Sequence, residues 1–372
     1  MHIGVLADPA HFHTRKWVKG LQQAGAQVTV FSFSASQSDQ CRCVRIVPSA
    51  APGGRLTYAS FLLSGSQLRK ALIRERIDIL NPIDITPYGV WAARSGFGPI
   101  AAIAMGADIL EYPPRRSQRI APAHRLWSSE RSRETSPFSD WTRWLFFRNM
   151  VSYALGRAAL VSGDNLQLTH ALRDWFQVPE SKILLNRWGI EPELFVPDPA
   201  RQAWLRMQMG IQPGDRVVLA PRGLRPVYQG DVILEGLSKW LASDDFRAKV
   251  IVLGAGYAAP AETRTAAMQL ALRDARFHLE TEALAREDMC QLWLMTDLFI
   301  NAPVYDGYSN ALSEGRYVGA LPLLNDIPAH REILEFGTHA LCADPFTAEQ
   351  LAAILPDTLR NMDAWKARVA PA

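Results

Sequence analysis

Short apolar runs rich in valine, isoleucine and leucine recur along the chain, and each is followed by a longer segment with helical periodicity. Such a run suits a strand buried on both faces, and strand–helix alternation is the pattern of βα units wound around a parallel sheet. The candidate strands of the first half are residues 3–7, 28–33, 45–48, 79–82, 100–105, 159–162 and 183–186. Those of the second half are residues 217–221, 249–253, 277–280, 298–301, 321–325 and 340–343. Two sets of about six predict an α/β protein of two doubly wound domains. Periodicity breaks between Trp188 and Pro199, where two glutamates and three prolines fall together, so the domains are expected at residues 1–188 and 189–372.

Composition narrows the class. With 372 residues, 48% hydrophobic and 21% charged, the chain is of ordinary globular make-up and can bury a large core without disulfides. Its four cysteines, Cys41, Cys43, Cys290 and Cys342, lack the paired C-x-x-C spacing of a zinc site, and no metal is expected. No apolar run reaches the roughly 18 residues of a membrane-spanning helix. The chain enters a strand-like HIGVLAD with no basic leader, so a soluble, cytoplasmic protein is expected.

A net charge of +3 does not point to nucleic acid, but its distribution is uneven. Between Pro113 and Arg148 eight arginines face three acids, an excess of +5, interleaved with Trp127, Phe138, Trp141, Trp144, Phe146 and Phe147. Residues 113–140 are expected to form a long, partly mobile excursion. The stretch up to Phe147 has two readings. One is a peripheral contact with an anionic membrane or a lipid-linked acceptor; the other is a solvated loop leading into a core-packed helix.

In an open α/β sheet, ligands bind outside the carboxyl ends of the strands. The first such turn, Asp8-Pro-Ala-His-Phe-His-Thr-Arg-Lys-Trp17, brings His11, His13, Arg15 and Lys16 to a strand end and opens a helix that ends near Gly25. The turn Pro221-Arg-Gly-Leu-Arg-Pro-Val-Tyr-Gln-Gly230 carries Arg222 and Arg225, suited to bidentate bonding of a diphosphate. Gly254-Ala-Gly-Tyr257 is a glycine turn and only a weak dinucleotide signal. The fullest is Asn301-Ala-Pro-Val-Tyr-Asp-Gly-Tyr-Ser-Asn-Ala-Leu-Ser-Glu314, in which Ser309 is a good N-cap for a helix from about Asn310 to Val318. The start of that helix is an anion site, with Asp306 before it and Glu314 one turn inside.

Asp306 through Glu314 resembles the E-x7-E element of retaining glycosyltransferases of family four. Further segments agree in order: His13-Thr-Arg-Lys-Trp17, Asn186-Arg-Trp-Gly-Ile-Glu-Pro-Glu-Leu-Phe-Val-Pro197, Pro221 through Gly230, the Gly254 turn, and Gly319-Ala-Leu-Pro-Leu-Leu-Asn-Asp-Ile-Pro-Ala-His-Arg-Glu332. The resemblance implies a GT-B fold, two Rossmann-like domains facing each other across a cleft, the first binding the acceptor and the second the nucleotide sugar. It implies that Arg222 binds the donor diphosphate, with Arg225, Tyr228, Gly254 and Gly307 nearby. Asp306 would hold the donor sugar, Glu314 the ribose, and the amides of Tyr308, Ser309 and Asn310 the phosphates. His13, Lys16, Gly106 and Asp108 would meet the acceptor.

The activity so implied is transfer of a sugar, with retention, from a nucleotide diphosphate sugar to a glycan or lipid-linked acceptor in cell-surface polysaccharide or glycoconjugate synthesis. It needs no cofactor beyond the donor substrate, no metal and no nucleic acid, and would take place in the cytoplasm or at the inner face of the membrane. The chain departs from the family pattern at Asp306, where glutamate is usual, at Gln229-Gly230, where Lys-Gly is usual, and at Glu314-Gly-Arg, where Glu-Ala is usual; the first loop is His-rich instead of glycine-rich. The segment after Trp365 leaves a short last helix. The alternatives are another activity on nucleotide sugars, such as hydrolysis or epimerisation, and a degenerate sugar-nucleotide binder or assembly subunit without turnover.

Overall fold

The computed structural model describes residues 1–34, 38–46, 63–114, 137–244, 246–254, 259–334 and 340–368. Among these residues all thirteen expected strands are present. The chain divides into two compact units, the first running to Arg187 and the second from Trp188.

In the first unit β1 (His2–Leu6), β2 (Gln27–Ser32), β3 (Arg42–Arg45) and β4 (Ile79–Pro82) form a parallel sheet in the order β3-β2-β1-β4. A second parallel group, β5 (Ala101–Ile103), β6 (Leu160–Gly163) and β7 (Ile183–Leu185), continues it, because bridges Leu80↔Ile100 and Ile83↔Ile103 set β5 beside β4. The third strand was expected at residues 45–48 and begins earlier. Its register pairs Thr29 with Arg42 and Ser32 with Arg45. On this edge strand only Val44 is buried, so apolar density did not mark its start.

The second unit is one six-stranded parallel sheet of β8 (Arg216–Ala220), β9 (Ala248–Leu253), β10 (Phe277–Glu280), β11 (Leu298–Asn301), β12 (Leu321–Leu324) and β13 (Leu341–Cys342), in the order β10-β9-β8-β11-β12-β13. Strand order reverses between β1 and β4 in the first unit and between β8 and β11 in the second. Connections leave to opposite faces at such a point, and a crevice opens at the carboxyl ends.

Side chains alternate across the second sheet with period two. Val218, Ala220, Val250, Val252, Ile300 and Leu323 pack with Trp240 on one face. Val217, Leu219, Ile251, Phe299 and Leu324 pack with Trp293 on the other, where Trp293 meets Phe299 edge-on at 5.2 Å. The helix Asn310–Tyr317 lies on this second face, and a Cβ at Gly315 would stand 2.4 Å from Phe299 Cε1. Glycine therefore replaces the usual alanine because the helix rests directly on the phenylalanine ring. Gly230 has the same cause, since a Cβ there would lie 2.4 Å from Leu224 Cα.

The excursion expected over residues 113–140 falls on residues 115–136, outside the described residues, and by Pro137 the chain is already in the helix Pro137–Arg157. Two members of the aromatic and basic stretch face inward. Phe147 is in the core, and Arg148 donates to the carbonyls of Tyr112 and Trp175 while its guanidinium lies over the Phe176 ring at 4.6 Å. Leu145, Phe146 and Tyr153 are exposed on the same helix.

Candidate active site

The second unit brings together Arg222, in the turn that follows β8, and the loop that follows β11, because β8 and β11 are neighbours at the point of reversal. Arg222 Nη2 donates to Asp306 Oδ1 at 3.1 Å and to the Tyr228 hydroxyl at 3.1 Å, and Nη1 donates to Ser309 Oγ at 3.2 Å. Its guanidinium also stacks over the Tyr228 ring, 4.5 Å from the centroid. Burial works against the charged form, but Asp306 and Tyr228 outweigh it and hold the pKa above the ordinary arginine value. The cation is therefore fixed in orientation on three sides before any ligand arrives.

Ser309 caps the helix Asn310–Tyr317, its Oγ accepting from Leu312 N at 3.4 Å, while Gly307 N donates to Asp306 Oδ1 at 3.0 Å. Tyr308 and Asn310 flank the cap. The helix aligns its dipole with Arg222, so two sources of positive potential converge beside one carboxylate. Glu314 is buried one turn further in and is held by an arginine that the sequence did not single out: Arg286 Nη2 lies 2.8 Å from Glu314 Oε1. Burial opposes the charge on Arg286, but Glu314 prevails and raises its pKa. The signal that could have found Arg286 is its place as the first residue of the helix Arg286–Leu294, just beyond the end of β10.

Gln229, standing where a lysine is usual, adopts a left-handed conformation with φ 51° and donates from Nε2 to the Ala302 carbonyl at 3.0 Å. It clips the β8 loop to the β11 loop and carries no charge to a ligand. Arg225 lies 5.9 Å from the Tyr228 ring centroid, on the same short turn as Arg222. Gly254 N bonds the Glu280 carbonyl at 2.7 Å, which ties the end of β9 to β10; the rest of that glycine turn, residues 255–258, lies outside the described residues.

In the first unit the proposed acceptor residues gather at the carboxyl ends of β1, β4 and β5. His11 caps the helix Phe12–Gln23, accepting from His13 N, and the rings of His11 and His13 stack at 5.2 Å. Burial lowers the His11 pKa. Lys16 is half-buried on the same helix, and Trp17 Nε1 donates to Asn81 Oδ1 at 2.6 Å. Gly106 takes φ 104°, which glycine alone adopts freely, and starts a short turn of helix.

Asp108 is buried and turned onto the backbone. Its Oδ2 accepts from Ile85 N at 2.7 Å and its Oδ1 from Met105 N at 3.0 Å. Its side chain also meets that of Asp84, a residue absent from the sequence reading, which takes φ 86° and accepts from Thr86 N at 3.2 Å. Burial raises the pKa of both carboxyls, and for Asp84 the neighbouring Asp108 charge raises it further. Tyr88 belongs to the same group: burial, then the Asp8 charge, push its phenol up to about 12, and it bonds the Ser32 side chain.

Residues 2–134 match the family model described as glycosyl transferase 4-like. No curated protein sequence matches the chain. Among solved structures, Anabaena HepE in complex with UDP-glucose superposes with a TM-score of 0.73 at 14% identity, covering 100% of this chain and 93% of that one. Sucrose-phosphate synthase from Thermosynechococcus elongatus gives 0.73 at 14% identity, over 99% and 92%. WaaG, a glycosyltransferase of lipopolysaccharide biosynthesis, gives 0.69 at 13% identity, over 99% and 94%. At these identities the likeness is one of fold. The chain thus combines the GT-B fold, two Rossmann-like units, with an N-terminal stretch that matches the glycosyl transferase 4-like model.

Proposed function

We propose that the chain is a retaining glycosyltransferase that moves a sugar from a nucleoside diphosphate sugar to a glycan or lipid-linked acceptor. The observation that carries this is Arg222, held by Asp306, Tyr228 and Ser309 against the start of the helix Asn310–Tyr317 at the reversal point of the second sheet. Breaking a glycosyl–phosphate bond builds negative charge on the leaving diphosphate, and a preorganised guanidinium beside a helix N-terminus stabilises that charge without moving. In this reading the diphosphate takes over Arg222, and the Asp306 carboxylate released from the pair holds hydroxyls of the transferred sugar. Glu314, fixed by Arg286, holds the ribose. His13, Lys16 and the Gly106 turn meet the acceptor, with Asp108 shaping that turn from behind. Arg222 and the helix supply the positive charge that metal-dependent transferases take from a cation.

Three solved neighbours support the nucleotide-sugar assignment by what they hold: UDP-glucose or UDP in HepE, and UDP-2-fluoro glucose in an E. coli trehalose-6-phosphate protein of TM-score 0.67 and 12% identity. The test is turnover with a panel of nucleotide sugars and glycan or lipid-linked acceptors, with the anomeric configuration of the product read by NMR. Retained configuration supports the reading, and inversion or epimerised donor overturns it. Gln229 favours one other reading, a binder without turnover, because the usual lysine is replaced by a side chain spent on the Ala302 carbonyl. Tight donor binding without transfer would establish that alternative. For the acceptor side we place a peripheral membrane contact on exposed Leu145 and Phe146 of the helix Pro137–Arg157. Flotation with anionic liposomes checks it, and no binding at low salt removes it.

A further inference from the structure

Behind the Arg222 site lies a buried histidine to which none of the roles above extends. His330 is 0% exposed, its Nδ1 is 2.9 Å from the Asn325 carbonyl oxygen, and its Nε2 is 3.4 Å from Asn301 Nδ2. A carbonyl only accepts, so Nδ1 carries the hydrogen. On a neutral ring Nε2 then offers a lone pair, and only the amino end of Asn301 can face it. Burial lowers the His330 pKa and keeps the ring neutral, with Asp306, Arg222 and Asp326 the charged groups around it.

The amide so oriented also donates from Nδ2 to Ser309 Oγ at 3.3 Å. Ser309 Oγ thus accepts from Asn301, from Arg222 and from Leu312 N, while its own O–H has no acceptor among the described residues. Asn301 is fully buried, and its Oδ1 has no hydrogen-bond partner among them. The opposite amide orientation would let Ser309 donate to Oδ1, but it would set Oδ1 against the Nε2 lone pair and move the amino group to the place where Oδ1 now finds no partner. His330 therefore favours the orientation that turns the amino group, not Oδ1, toward Ser309.

We infer that His330 is a positioning residue: through Asn301 it keeps the Ser309 hydroxyl hydrogen uncommitted, so that this hydrogen bonds an oxygen of the bound diphosphate. The inference rests on the donor reading above, and it explains why a neutral histidine is buried two hydrogen bonds from the anion site. Without the histidine the amide turns over, Ser309 donates inward, and its oxygen meets the phosphate with lone pairs alone.

Two measurements on the full chain test it. The first is the ¹⁵N spectrum of the His330 ring, expected to show the neutral Nδ1–H form; an Nε2–H or charged ring overturns the inference whatever the ligand. The second is a double-mutant cycle on binding of UDP, ADP and GDP. Both S309A and H330F should weaken the best-bound diphosphate by about tenfold, the scale of one hydrogen bond to a charged group, and H330F should cost nothing further in the S309A background. H330Q, which keeps one donor and one acceptor, should recover part of the loss. A loss in H330F that persists undiminished in S309A means a merely structural role and overturns the inference, as does an unchanged H330F beside a weakened S309A. Wild-type protein that binds none of the three overturns the donor reading and this inference together. Should H330F fail to fold, the ring spectrum and H330Q still decide.

Discussion

The two sheets reverse strand order in the same way, but they place opposite chemistry at the two reversal points. In the second unit each buried carboxylate has its own guanidinium, Asp306 with Arg222 and Glu314 with Arg286. In the first unit the carboxyls of half-buried Asp84 and buried Asp108 have each other and backbone amides, and Tyr88 feels the Asp8 charge. A site of held cations is ready for an anion as soon as a better partner than its own carboxylates arrives. Paired carboxyls bonded to backbone amides present no fixed cation of their own, so the two reversal points differ in charge. One architecture thus carries different chemistry at its two reversal points according to which residues fill equivalent loops.

Removing Arg222 breaks this contrast most severely. Arg222→Ala should lower kcat with the best donor by about 10²–10³-fold, the usual cost of one preorganised donor to developing negative charge. Arg222→Lys, with charge but no fork, should fall between. Steady-state kinetics check both, and an alanine variant within a few-fold of wild type would remove Arg222 from the chemistry.

The two acids of the second unit should fail in different ways. On the proposed roles Glu314→Ala removes a contact to the part of the donor that does not react, so binding of donor and free nucleoside diphosphate should weaken together. Asp306→Asn should instead lower kcat and leave affinity for the free diphosphate nearly unchanged. Each effect should be roughly ten- to hundredfold, from about 1.5–3 kcal/mol for a charged hydrogen bond. Calorimetric titration beside kinetics separates them, and an Asp306→Asn enzyme that binds diphosphate poorly but turns over normally would reverse the two assignments.

The first unit's carboxyl pair predicts a smaller, pH-dependent effect. Both folded pKa values lie above the ordinary carboxylate range, so the proton the pair holds stabilises the fold fully below the unfolded value and is lost as pH rises through the folded one. Asp84→Asn supplies a permanent donor to Asp108 and tolerates the positive φ. Its melting temperature should fall less with rising pH than that of wild type, and parallel curves would mean that no proton is shared. The least effect is expected from EDTA, which should leave transfer unchanged because Arg222 and the helix supply the positive charge; loss restored by Mg²⁺ or Mn²⁺ would show a metal-assisted site.

Much of this contrast was legible in local sequence, and the limits of legibility have a pattern. The run Leu298–Asn301 is apolar enough to be a buried strand in any context, and Ser309 announces a helix start by itself. Arg222 and Asp306 could be named because each follows a strand end. Arg286, Asp84 and His330 were not named, since an arginine opening a helix, an aspartate after a strand and a histidine in a short turn have ordinary local explanations. What distinguishes them is the partner, and each partner is distant in sequence or folded onto the backbone.

The sequence by itself determined the βα periodicity, the division near Trp188 and the loops that could hold a ligand, because these depend on side-chain spacing and backbone preference within a few residues. The tertiary structure alone decided that Arg222 meets Asp306, that Arg286 lies against Glu314, that Asp84 and Asp108 come together, and that His330 faces Asn301. Those pairings follow from strand order, which places β8 beside β11 and β4 beside β5. Strand order is set by how whole layers bury their apolar faces, a property of the packed sheet that no single segment carries.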